Sequence, residues 1–530
     1  MKIKKIKIYD STLRDGAQTR GVALSFEDKV RISKILDDFG VDYIEGGWPG
    51  ANPTDDEFFK SCPKFKNSKL VAFGMTKKFG KNAHTDKGLN SILNSGVSTC
   101  CIVGKTWDFH VKKALRITLD ANLDLIYDSI RYSSKRLDEV MFDAEHFFDG
   151  YKNNPEYAKK TIKIAFEAGA KWIILCDTNG GTLPFELKEI LDDVKKIIPS
   201  KNLGVHFHND TDTATANSIE SARNDVHQVQ GTFNGLGERC GNANLVNVIS
   251  NLYLKMGYNI NFKKNLHKLT KVSRFVDEVL NRSSNRNLPF VGSSAFAHKG
   301  GLHISAVQKD PKSYEHIDPS KVGNQRILVV SNQSGISTIT DQLKKLNIHF
   351  NKKDLKLSTF INLIKEQEFL GYAYDGAEAS FELLARRHFN NFQDFYTLKS
   401  FKVLDEKRKN SSGVFVTVSE ARIKIIVKGK EFLFATEGDG PIHALDNALR
   451  KALIQPYPQI KKLNLIDYKV RILKPQDGTK ALVRVRVESS NKKQIWSTIG
   501  VSNNVINASF IALHDSVTYH LLKMKENTHY

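Results

Sequence analysis

Cysteine is scarce in this sequence. Its 530 residues include five, Cys62, Cys100, Cys101, Cys176 and Cys240, and no two stand in a CxxC pair. An odd, sparse set without that spacing excludes a disulfide framework and a zinc ribbon, and the expected setting is a reducing cytoplasm. Long apolar runs are also missing: none approaches the ~20 residues needed to cross a bilayer, so no membrane partner is expected. The opening MKIKKIKIYD alternates lysine with isoleucine and lacks the apolar stretch and cleavage site of a secretory signal. It reads as a strand. No short tandem repeat is apparent. The glycine-rich GLGERCGN at 235–242 does not match a dinucleotide fingerprint, because Arg239 and Cys240 stand where small residues are required.

What is present is enough for a large folded chain. Hydrophobic residues make up 40% and aromatics 10%, which supports a sizeable core, and the length calls for at least two folding units. Lys and Arg number 79 against 58 Asp and Glu, a net charge of +21. That excess has three readings: a solvated lysine-rich surface, weak steering of an anionic small substrate, or nucleic-acid binding. The basic residues are spread along the chain and interrupted by acids, as in KVLDEKRK at 402–409. This favours the first reading, and no nucleic-acid partner is expected.

The chain divides by pattern into three parts. Over residues 1–262 eight β-rich runs alternate with helical stretches: 6–12, 41–47, 70–75, 98–104, 139–145, 171–178, 203–210 and 227–235. Ser25 with Asp28 forms a helix-start signal, and Asn154-Pro155 forms another. Eight such alternations predict an α/β fold with a (β/α)8 barrel, ahead of a doubly wound sheet. Residues 263–397 read as mainly helical with a glycine-rich piece at 290–303. Residues 398–530 return to strands with two helices, an α+β domain.

Three local patterns carry chemistry. His206 and His208 stand two apart in an apolar strand, so both imidazoles project to one face; at the C-terminal end of a barrel strand that face lines the active site. Two neutral imidazoles there can bind one divalent ion, or can be two ordinary hydrogen-bonded histidines. Arg14 and Asp15 follow the first strand in STLRDG. They form either an ion pair fixing a loop or a hard oxygen ligand beside a cation that steadies an oxyanion. Third, the glycines of 235–242 permit close backbone approach after the eighth strand.

Together these motifs resemble the acyl-CoA-condensing barrel enzymes, the family of 2-isopropylmalate, homocitrate and citramalate synthases. STLRDG (11–16), HFHND (206–210) and GLGERCGNANL (235–245) match in order and spacing, as do IEGGWPGANP (44–53), LCDTNGGTLP (175–184) and AFAHKGGLHISAV (295–307). The blocks GGWPGANP, FDAEHFFDG and AHKGGLH look most like the citramalate branch, and TEGDGPIHALDNAL (436–449) looks like the family's carboxy-terminal regulatory domain.

The resemblance implies a metal-dependent barrel that condenses acetyl-CoA with a 2-oxo acid, pyruvate on the citramalate branch, and hydrolyses the thioester. That reaction would begin a threonine-independent route to isoleucine. The alternatives are 2-oxoisovalerate, 2-oxoglutarate, or a catalytically silent barrel that senses an amino acid. Carried over by position, the metal ligands are Asp15, His206, His208 and Asn242, for Mg2+, Mn2+ or Zn2+. Arg14 would steady the alkoxide with Glu45 as its partner, and Thr178 and Gln18 would meet the oxo acid. His303 ranks above Glu145 as the proton-handling group, with Tyr314 contributing from the same segment. Ser305 stands where isopropylmalate synthases carry Asp, which weakens any relay through that position. Cys240 has no counterpart role and is expected to be buried, and Cys100, Cys101 and Cys176 are expected in the core. A homodimer is implied, with the helical segment as a lid and isoleucine as the effector of the last domain.

Overall fold

The protein is described here from a computed structural model covering residues 5–62, 64–328, 336–351, 355–409, 411–473, 475–491 and 494–526. It forms two compact units: the described residues up to 296 with 315–326, and 297–314 with the described residues from 327 onward. The segment 263–397 therefore contributes to both.

The first unit is a closed barrel of parallel strands. They are β1 (Lys7–Asp10), β2 (Tyr43–Gly47), β3 (Lys69–Met75), β4 (Thr99–Lys105), β5 (Glu139–Glu145), β6 (Trp172–Asp177), β7 (Leu203–Phe207) and β8 (Gln228–Gly231). All eight expected runs are strands. The doubly wound alternative falls because β8 returns to pair with β1, Lys7 opposite Gln228 and Asp10 opposite Gly231.

Period-2 alternation sorts the side chains. Ile8, Ile44, Ala72 and Cys100 join the apolar layer under the helices, while Tyr9, Tyr43, Phe73, Cys101, Met141, Ile174 and Cys176 fill the barrel. Adjacent Cys100 and Cys101 thus serve opposite faces. Among the polar side chains Glu139 is fully engaged: it accepts from Tyr43 Oη at 2.8 Å, Trp172 Nε1 at 2.8 Å and Lys69 Nζ at 2.6 Å. The helix Phe26–Phe39 starts at the expected capping box, Ser25 and Asp28 each accepting the other's backbone N–H. Asn154 caps Pro155–Glu167, with proline at the first turn.

Asp10, at the end of β1, is fully buried. It accepts from Thr12 N at 3.0 Å and Thr12 Oγ1 at 2.9 Å, and Thr12 Oγ1 accepts from Phe233 N at 2.9 Å, which fastens β1 to the segment after β8. Burial pushes the Asp10 carboxyl up to about 7, against roughly 4 in an unfolded chain. The folded state therefore holds this proton where the unfolded state has lost it. The stability this contributes is complete below about pH 4 and is lost as pH rises through 7. Between pH 5 and 8 the thermal midpoint of the wild type is expected to fall relative to that of Asp10→Asn, followed by circular dichroism; parallel slopes would reject the assignment.

The second unit holds a short parallel pair, β9 (Ala297–His298) with β10 (Ile327–Leu328), and helices at Ile336–Lys345, Leu355–Phe369 and Glu378–Asn390. Two antiparallel modules follow. In the first, β11 (Thr397–Lys409), β12 (Phe415–Val427) and β13 (Lys430–Gly438) precede the helix Pro441–Ile454; in the second, β14 (Asn464–Ile472), β15 (Val483–Ser490) and β16 (Ile495–Ser502) precede the helix Val505–Glu526. Both helices contribute to one core, through Ala444, Leu445, Leu449, Leu513, Val517 and Leu521. This βββα duplication leaves no tandem repeat in the sequence. No helix among the described residues is long and apolar enough to cross a membrane.

Candidate active site

The motif residues gather at the C-terminal mouth of the barrel. His206 is the penultimate residue of β7 and is buried. The strand ends at Phe207, one residue short of His208, but His208 continues the alternation through an antiparallel bridge to Asn242. The two imidazoles lie 5.3 Å apart. Asp15 sits in the turn after β1, where Gly16 N donates to Ser11 O at 3.0 Å. Its Oδ2 is 3.4 Å from His206 Nε2 and 4.0 Å from His208 Nε2.

Ligand atoms of Asp15, His206 and His208 fall within 4.8 Å of one another, as one metal ion requires. Three buried polar atoms here have no hydrogen-bond partner among the described residues: Asp15 Oδ1, His208 Nδ1 and Asn242 Oδ1. A divalent cation is the species that would satisfy such donors, so the residues fit the ion. Asn242 Nδ2 donates to Leu236 O at 2.9 Å, which leaves its oxygen uncommitted. Gly237 makes this conformation accessible: its φ is +145°, and a Cβ there would lie 2.2 Å from Asn242 Nδ2.

The charged groups of this cluster act strongly on one another. Burial opposes ionisation of Asp15, yet Arg14 and the two imidazoles hold it well below the usual carboxylate range. Burial alone would lower His206, but hydrogen bonding and attraction to Asp15, helped by Asp143, raise it to about 9. Burial and repulsion from His206 lower His208 to about 4. His206 Nδ1 lies 2.9 Å from Gln230 Oε1, and Gln230 Nε2 donates to Asp143 Oδ1 at 3.3 Å. This chain commits Nδ1 to the protein and turns Nε2 toward Asp15.

Arg14 Nε donates to Glu45 Oε2 at 2.8 Å, its Nη1 is 3.3 Å from Asp15 Oδ2, and its guanidinium lies 3.9 Å over the Phe73 ring. Fully buried Glu45 also accepts from Tyr9 Oη at 2.8 Å and from Ser11 Oγ. Arg14, Asp15, Gln18, Glu145, Thr178, His206 and His208 line one cavity of about 260 Å3, with Trp48, Phe73, Met75 and Val103 as its apolar wall. Lys105 Nζ meets Glu145 Oε2 at 2.5 Å. His303 and Tyr314 belong to the second unit, where their rings stack at 4.2 Å.

A family described as HMGL-like matches residues 5–276. One described as homocitrate synthase post-HMGL domain-like matches 290–367, and one described as LeuA allosteric (dimerisation) domain matches 375–521. The chain is 50% identical over 525 residues to the (R)-citramalate synthase of Aquifex aeolicus, across 99% of both chains. It is 49% identical to that of Geobacter sulfurreducens, across 98% of both. The chain belongs to the citramalate synthase family. The 2-isopropylmalate synthase of Sulfurisphaera tokodaii is more distant, 34% identical across 67% of this chain and 89% of that protein.

Several residues in and around the pocket of this citramalate synthase family member carry no motif signal of their own. Asp143 precedes Glu145 by two on β5, and Lys105 follows Val103 by two on β4, so period-2 alternation pointed both into the barrel. The polar Gln228 and Gln230 in β8 carried the same signal. Arg239 and Asp210 were visible only as motif letters; in the fold Arg239 Nε and Nη2 hold the two Asp210 carboxylate oxygens at 2.8 and 2.9 Å, and Nη2 reaches Thr178 O at 2.7 Å. One side chain thus ties together the segments after β6, β7 and β8. Cys240 is a correction: it is exposed, not buried, because it lies on the outer side of the turn, two residues before the inward-directed Asn242. Cys100, Cys101 and Cys176 are buried as expected.

Proposed function

We propose that the barrel carries out the (R)-citramalate synthase reaction: acetyl-CoA condenses with pyruvate, and thioester hydrolysis releases (R)-citramalate and CoA. The observation that carries this reading is the nearly full-length likeness, 43–50% identical, to five (R)-citramalate synthases. The site supports it through its ligand set, the Arg14 guanidinium held by Glu45 and its small cavity with an apolar wall.

In this reading Asp15, His206, His208 and Asn242 hold a divalent metal, Mg2+, Mn2+ or Zn2+, which when bound supplies Lewis acidity toward a ketone oxygen. Thr178 binds the oxo-acid carboxylate, and Gln18 lies near the substrate. The apolar wall of Trp48, Met75 and Val103 receives the methyl group of pyruvate. Arg14, locked by Glu45, stabilises negative charge developing on the former ketone oxygen. Removing the thioester α-proton needs a base; His303 is our first candidate, with Tyr314 stacked on it, and Glu145, paired with Lys105, is the second.

Residues 1–262 serve as the catalytic barrel, 263–397 as a linker and lid, and 398–530 as the regulatory domain. The match to a LeuA allosteric (dimerisation) domain supports a homodimer under effector control, with isoleucine as the effector and isoleucine synthesis in the cytoplasm as the setting. The test is free-CoA release with acetyl-CoA and pyruvate, 2-oxoisovalerate or 2-oxoglutarate, with and without isoleucine. Pyruvate is expected to exceed the others in kcat/KM by at least about 100-fold, since a fixed pocket rejects added bulk strongly. Turnover confined to one of the larger acids would sink the assignment, and no turnover with any would leave the silent amino-acid sensor.

A further inference from the structure

His146 directly follows the pocket carboxylate Glu145 and adopts a left-handed backbone, φ 58° and ψ 32°. A side chain with a Cβ resists that region, and histidine enters it more readily than most residues but still at a cost. The surroundings hold it there. Its Nδ1 lies 3.1 Å from Asp149 Oδ2, and the same oxygen accepts from Asn179 Nδ2 at 3.0 Å. The ring packs 4.1 Å from His110, which stacks on Trp107 at 5.3 Å.

The turn has one consequence inside the pocket. It aims the His146 backbone N–H at Thr178 Oγ1, 2.9 Å away. An N–H can only donate, so Thr178 Oγ1 accepts there, and no other described residue bonds to this oxygen. A hydroxyl has a single proton; with a lone pair already engaged, that proton is left for whatever occupies the cavity. Asp149 bridges His146 and Asn179, the neighbour of Thr178, and so links the two turns.

We propose that His146 is a positioning residue whose left-handed backbone makes Thr178 a hydrogen-bond donor to the carboxylate of the 2-oxo acid. The inference rests on the reading of Thr178 as the carboxylate-binding hydroxyl. It requires the backbone conformation more than the imidazole, which separates it from a packing role.

The test uses the full-length enzyme with its metal and compares H146G and H146N, which tolerate the left-handed region, with H146V, which does not because it is β-branched. In H146V the KM for pyruvate is expected to rise about tenfold, the worth of one hydrogen bond to a charged group. In H146G and H146N it should stay within about threefold, with the acetyl-CoA KM unchanged throughout. On a T178V background H146V should add nothing, because the two changes remove one interaction. If H146V does not fold, H146A serves, with a smaller rise in the same direction. A rise in H146G as large as in H146V, or an H146V effect that persists on T178V, overturns the proposal. An unchanged pyruvate KM in T178V alone instead overturns the Thr178 reading, and His146 falls with it.

Discussion

Replacing His208 by Ala is expected to weaken divalent-metal binding by at least about 100-fold, since even outer-shell changes cost 10–100-fold, and to lower kcat/KM by about 10^3. The fold should survive. His208 lies just past the end of β7, no described residue bonds its Nδ1, and its Nε2 stands 4.0 Å from Asp15 Oδ2, so alanine breaks no hydrogen bond of the barrel. His206 differs, being tied through Nδ1 to Gln230 and Asp143; its loss would disturb the interior as well. Equilibrium dialysis with Mn2+ or Zn2+, CoA release and a thermal midpoint separate the effects. Undiminished metal affinity and activity in H208A would reject the site.

The second large effect is expected at the Arg14–Glu45 pair, whose members should fail differently. Arg14→Lys keeps a positive charge but loses the fork that reaches Glu45 and Asp15 and the flat face on Phe73. A group serving mainly the transition state then shows itself in kcat, reduced about 100-fold or more, with the pyruvate KM little changed. Glu45→Ala leaves a half-buried guanidinium beside Asp15 and removes the acceptor of Tyr9 and Ser11. Breaking a buried pair by deleting one member costs roughly 3 kcal/mol or more, so the melting temperature should drop together with kcat. Steady-state kinetics and thermal unfolding on both variants are the check. A melting loss in R14K as large as in E45A would show that the pair is only structural.

The site was legible in part. Asp15, His206 and His208 stood out because a carboxylate after one strand and two imidazoles two apart on another are recognisable locally. Gln230, Asp143 and Lys105 were legible in principle, since each sits at an inward position of its strand, but a polar residue inside a barrel strand is also what an ordinary buried hydrogen bond looks like. The Arg239–Asp210 tie was not legible: the residues lie in different motifs, and their pairing depends on two loops meeting. The exposure of Cys240 followed the turn's direction, which composition does not encode. The duplicated module of the second unit was hidden because strand alternation and one helix per copy can be met by unrelated side chains.

By itself, the sequence determined the alternation of strands and helices, the inward face of each strand and the types of ligand available, because these depend on periodicity and residue chemistry over a few neighbours. Tertiary structure decided that β8 closes on β1, that Asn242 turns back beside His208, and that His146 faces Thr178. Those contacts join segments distant in the chain, and their geometry comes from barrel closure and loop packing, to which no local pattern is sensitive.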